Sequence, residues 1–128
     1  MEMKKIILSS LFFFCQQAVA NEVEVVDVNI KYNPSGHARV DVTLLHGDTG
    51  WDHYANAWEI LDSNKKPIAT RVLHHPHVGE QPFTRSLYDV SLPVGAKFVY
   101  VRGRDKVHGY GKMIKVEIEE IAVFGDRI

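Results

Sequence analysis

The stretch ARVDVTLLH, residues 38–46, decides how this chain folds. Val40, Val42 and Leu44 alternate with Arg39, Asp41 and Thr43. Successive side chains of a strand point to opposite faces. A period of two therefore predicts a half-buried β-strand, with the first set inward and the second outward.

The same alternation extends in both directions. Upstream, NPSG (residues 33–36) carries the proline and glycine of a turn. Before it, VDVNIKY (residues 26–32) places Val26, Val28 and Ile30 on one face and Asp27, Asn29 and Lys31 on the other. Downstream, the polar loop HGDTGWDHY leads to ANAWEILD, a third strand with Trp58 and Ile60 as its apolar positions. SNKKP turns the chain into IATRVL, a fourth strand. TRSLYDVSL reads as a fifth, KFVYVRGRD as a sixth and MIKVEIEEI as a seventh. Trp58 and Phe98 are expected in the core. No stretch has the spacing of an amphipathic helix. Seven short strands separated by turn signals predict an all-β domain: a seven-stranded antiparallel β-sandwich with immunoglobulin-like topology. A small β-barrel is the alternative.

Two segments carry a family likeness. SLPVGAKFVYVRGRDKVHGYGK (residues 91–112) resembles the passage from the fifth strand of a fibronectin type III domain into its sixth and last. AWEILDSNKKPIATRVL (residues 57–73) is similar to the third strand, hairpin and fourth strand of that family. The likeness spans roughly residues 40–118 and implies the same sandwich. It departs at Phe98, where the family usually has tyrosine, and at Leu44, in the region of the family's second-strand tryptophan. HPHVGEQPFTRS (residues 75–86) resembles a motif of small, uncharacterised secreted bacterial proteins and implies no activity. Sandwiches host many functions, so function has to be argued from a site.

The N-terminus reads as an address. Lys4 and Lys5 precede the mostly apolar run Ile6–Phe14, and Ala18-Val19-Ala20 offers the small-x-small pattern read by signal peptidase. Residues 1–20 are expected to be a secretory signal peptide, too short to span a membrane. Lipidation at Cys15 is disfavoured by the bulky Phe14 before it. Residues 21–128 then form a single domain, with no membrane span in the mature chain. Removal of Lys4, Lys5 and Glu2 leaves 13 basic and 15 acidic residues, a balance without the basic excess of a nucleic-acid binder. The one cysteine leaves with the signal, so no disulfide supports the fold. The expected location is periplasmic or secreted.

All seven histidines remain after cleavage. In the predicted topology the second–third, fourth–fifth and sixth–seventh loops share one pole. His46 and His53 lie in the first of these loops, His74, His75 and His77 in the second, and His108 in the third. His37 lies at the other pole. His75 and His77 are two apart, which in an extended segment puts them on one face. Pro76 favours that geometry. With His108 from the neighbouring loop they form a candidate trio for zinc or copper(II), since neutral imidazoles suit both metals. Hydrogen bonding within tight turns is the competing role for these histidines.

Trp51, His53, Glu80 and Arg85 are candidates for contacting a small polar ligand. For Glu80, Arg85 and Asp105 a salt bridge pinning the loops is the favoured role, with an anion-recognising Arg85 as the functional alternative. Trp51 suits either a lid on the core or a flat stacking surface. No catalytic motif stands out: Ser86 falls on a strand rather than at a sharp elbow, and the chain is read as non-enzymatic. Two functions remain. One is a binding module whose loop pole holds a divalent metal or small polar ligand. The other is an interaction domain that meets a periplasmic protein through the same pole.

Overall fold

The computed structural model describes residues 22–32 and 36–118. The expected signal peptide (residues 1–20), with Cys15, and residues 119–121 of the expected last strand lie outside the described residues. The elements are β1 (Glu24–Tyr32), β2 (Ala38–Leu45), β3 (Ala55–Leu61), β4 (Pro67–Val72), β5 (Phe83–Val90), β6 (Phe98–Asp105), β7 (Gly109–Tyr110) and β8 (Ile114–Glu117). Among the described residues there is no helix.

The strands form two antiparallel sheets. One has three strands in the order β1-β2-β5. The other has the order β4-β3-β6-β7, with β8 also paired to β6. The expected seventh strand is thus divided. Residues 109–110 pair with Asp105 and Arg104, and residues 114–117 pair with Val101 through Phe98. Gly109 adopts φ +82°, a left-handed conformation that glycine reaches without a Cβ clash.

One core lies between the sheets. β2 contributes Ala38, Val40, Val42 and Leu44; β3 contributes Ala55, Trp58 and Ile60; β6 contributes Val99 and Val101. Val40, Val42, Leu44 and Trp58 are completely buried. Each such aliphatic side chain stabilises the fold by about 1.5–3 kcal/mol relative to exposure.

Two inward assignments are corrected. Val26 is 43% exposed, and Val23 and Val25 are buried in its place. The β1–β2 register shifts between Val25 and Asp27. An extra residue at such an irregularity reverses the facing of everything before it. Val28 and Ile30, beyond the shift, pack against the core as expected. Phe98 is only partly buried and is not a core residue. The inward row of β6 is Val99, Val101, Gly103 and Asp105, so Phe98 falls on the other face. There it meets Tyr100 edge-on at 5.5 Å and lies under the Lys115 ammonium at 4.3 Å.

Gly103 lies opposite Trp58 in the β3–β6 ladder. A Cβ on Gly103 would come within 2.2 Å of Val23 Cγ1, and one on Gly111 within 2.3 Å of the Val23 carbonyl oxygen. Glycine at both positions lets the segment leading into β1 cross close over β6. A glycine inside a strand commonly marks such an approach. The next inward residue of β6 is Asp105.

Candidate metal centre

The inward rows of β2 and β6 do not stop at the ends of their strands' apolar runs. After Val40, Val42 and Leu44, the period of two continues through His46 and Asp48, which are also buried. After Val99, Val101 and Gly103 it reaches Asp105, with no exposure at all. Ala55, at the start of β3, pairs with Asp105, which brings the preceding loop and His53 alongside. Two apolar rows from opposite sheets thus end in acid and base groups at one pole.

Those groups converge on a single oxygen. Asp105 Oδ2 lies 3.2 Å from His46 Nε2, 3.1 Å from His108 Nδ1 and 3.5 Å from His53 Nε2. A carboxylate oxygen has two lone pairs. Three ring nitrogens crowd around that oxygen, and His53 Nε2 is left buried without a hydrogen-bond partner. The rings of His46 and His53 meet edge-on at 4.8 Å, and those of His53 and His108 at 4.9 Å. The other Asp105 oxygen, Oδ1, accepts the Val107 amide at 2.7 Å and the His108 amide. Burial pushes the Asp105 carboxyl upward. The hydrogen bonds from the His108 amide, the His108 ring and the Val107 amide outweigh it and hold the group below its ordinary value.

Asp48 supports His46 from behind. Its Oδ1 accepts His46 Nδ1–H at 2.5 Å and the Ala55 amide at 3.1 Å, and its Oδ2 accepts the His77 amide at 2.8 Å. Gln81 adds a second tie: its Oε1 accepts the His46 amide at 2.9 Å, and its Nε2 donates to the His77 carbonyl at 3.0 Å. With Nδ1 protonated and bonded to Asp48, His46 presents Nε2 to the centre. This is the carboxylate–histidine arrangement that commonly orients metal ligands.

The three loops expected to share a pole do meet. Asp48 and Gln81 join the first to the second, and the Lys106 amide donates to the Tyr54 carbonyl at 3.0 Å, joining the first to the third. His46, His53 and Asp105 have ligand atoms within 4.8 Å of one another, and no other group of three meets that condition among the described residues. The trio expected from spacing, His75, His77 and His108, is therefore not brought together. Only His108 reaches the centre. His75 is exposed, with its ring 4.8 Å from that of His77. His77 is buried and stacks on Phe83 at 3.9 Å and 11°, and its Nε2 accepts from Arg85 Nη2 at 2.8 Å. Burial, then the Arg85 and His75 charges, lower its pKa from the ordinary 6.5. His74 is exposed, and His37 lies at the opposite end of β2 from His46.

The four ligand-binding candidates divide. His53 belongs to the centre. Trp51 stands at the rim, 62% exposed, edge-on to Tyr54 at 5.8 Å, and its carbonyl accepts from Lys106 Nζ at 2.8 Å. Arg85 and Glu80 lie beside His77 with 3.9 Å between their charged atoms. Asp105 is not part of that pair. The signal for His46 and Asp105 as chemical residues was the continuation of the inward rows. The signal for Asp48 was its place two residues beyond His46.

No protein-family model matches the chain, and no solved structure matches it. A protein of Halomicrobium mukohataei named "Putative lipoprotein" is 39% identical over 90 residues, which cover 70% of this chain and 44% of that protein. The chain thus spans less than half the length of that relative.

Proposed function

We propose that this chain is a small exported binding module whose loop pole holds a divalent metal, zinc or copper(II), through His46, His53 and Asp105. One observation carries the reading: three imidazole nitrogens face one buried carboxylate oxygen, and His53 Nε2 has no partner there. A cation among these atoms would accept electron pairs from all of them. In a tetrahedral zinc site with bonds near 2.0 Å, neighbouring ligand atoms are about 3.3 Å apart. The His46–Asp105 and His53–Asp105 separations of 3.2 and 3.5 Å fit that spacing. Two imidazoles and a carboxylate suit zinc or copper(II).

Export is supported by the basic and apolar N-terminal segment and by the relative's name as a lipoprotein. A fibronectin type III-like sandwich is supported by the strand order, with the first, second and fifth strands in one sheet and the remainder in the other. A periplasmic protein partner at the same pole is the second reading, favoured by the exposed Trp51, Val107 and Tyr110. Under that reading the histidines are loop architecture.

Calorimetric titration of tag-free, metal-stripped protein with zinc and copper(II) tests the proposal. The expected result is one equivalent bound with a Kd below about 100 μM, which corresponds to roughly −5.5 kcal/mol. His53→Ala should weaken binding at least tenfold, and His37→Ala should leave it unchanged. Weaker binding by the wild type would leave the interaction reading.

A further inference from the structure

We infer that His108 is the exchangeable fourth ligand of this centre, and that the position it occupies is where a small monodentate anion binds the metal. The inference rests on the metal reading above. His46 and Asp105 have no side-chain exposure, and His53 has 22%, whereas His108 has 41%. Solvent therefore reaches the cluster from the side of His108. Its Nδ1 lies 3.1 Å from Asp105 Oδ2 but outside the set of ligand atoms that are all within 4.8 Å of one another, so it joins a metal on that oxygen only when its ring turns toward the cluster.

Its attachment differs from that of the other histidines. His46 is fixed by Asp48 through its second nitrogen, and His53 lies between the His46 and His108 rings. His108 belongs to the short 106–108 turn between β6 and β7, and its backbone is anchored to Asp105 Oδ1. The ring can therefore turn about its side-chain bonds while the turn keeps its place. Rotation outward would leave three protein ligands and one open position, the arrangement that lets a metal bind an outside ligand. Lys106, on the same turn, places a positive charge at the rim through its bond to the Trp51 carbonyl, which favours an anion there.

Cobalt(II) is the probe, because its visible absorption reports coordination. Wild-type protein and His108→Ala are loaded with cobalt(II) and titrated with azide. The expected result is a roughly tenfold loss of cobalt affinity in His108→Ala, together with azide binding at least tenfold tighter than in the wild type and a shift of the visible bands. Unchanged cobalt and azide affinities would overturn the inference and leave the three-ligand centre standing. Complete loss of cobalt binding in a variant that keeps the wild-type circular dichroism would also overturn it, since His108 would then be a fixed ligand. If the wild type binds no cobalt, zinc or copper(II), the metal reading itself fails and this inference fails with it.

Discussion

Asp48 holds His46 at 2.5 Å through Oδ1 and the His77 amide at 2.8 Å through Oδ2, so one buried carboxylate joins a ring of the centre to the histidine-rich loop. That loop supports the cluster from outside, and none of its histidines belongs to it. Its His77 amide and Gln81 side chain fix the residue that faces the cluster.

Replacing Asp48 should therefore act at two levels. Asp48→Ala leaves the Ala55 and His77 amides and His46 Nδ1 without their acceptor. Breaking one side of a buried network of this kind costs about 3 kcal/mol. Asp48→Asn keeps the shape and should cost less. It should still weaken zinc binding about 10- to 100-fold, the usual effect of removing a carboxylate that orients a ligand histidine. Denaturant melts of the metal-free proteins read the first effect and zinc titration reads the second. Wild-type zinc affinity in Asp48→Asn would show that His46 needs no such support.

His77 should make stability depend on pH in the metal-free protein. Its folded pKa lies below the unfolded value of 6.5. The unfolded chain therefore binds more protons in the window between the two values, and stability rises with pH there. Stability contributed by the neutral ring is present above about pH 6.5 and is lost as pH falls toward the folded pKa. His77→Gln removes the titrating group. The expected outcome is a shallower fall in unfolding free energy below pH 6.5 than in the wild type. Parallel curves for the two proteins would show that the ring stacked on Phe83 is not shielded from protons.

The paired strands were legible because alternation is a local signal. Val40, Val42 and Leu44 are inward as their spacing requires, and so are Trp58 and Ile60. Val26 departs from its expected face because a bulge is a one-residue event, and the apolar pair Val25-Val26 fits either register. Phe98 departs from the core expected of a large aromatic because strand phase, not hydrophobicity, sets its facing. The phase of β6 puts Val99, not Phe98, inward. The centre was harder still. His75 and His77 attract notice by closeness in sequence, while His46, His53 and Asp105 converge only through the pairing of β3 with β6 and the joining of the loops. A polar residue that continues an apolar inward row is the signal that carries over, and both His46 and Asp105 have it.

Trp58→Ala should cost roughly 3–5 kcal/mol, the range for deleting a large aromatic from a packed core. The ring is wholly buried, opposite Gly103, in a domain whose described residues contain no cysteine. The unfolding midpoint in urea measures the loss. A change equivalent to less than about 1 kcal/mol would mean that the core collapses onto the cavity.

The exported form should begin at Asn21. Lys4 and Lys5, the apolar run and Ala18-Val19-Ala20 together make a site for signal peptidase. The relative's name as a lipoprotein makes the competing outcome concrete: cleavage before Cys15 and acylation of its sulfur. Phe14 opposes that outcome, because the residue before a lipidated cysteine has to be small. The two products differ by six residues and a lipid, so intact mass of the exported protein separates them directly. A mass that begins at Asn21 with no adduct is expected. A diacylglycerol mass on a chain beginning at Cys15 would place the domain on a membrane surface, tethered by the residues before Val23.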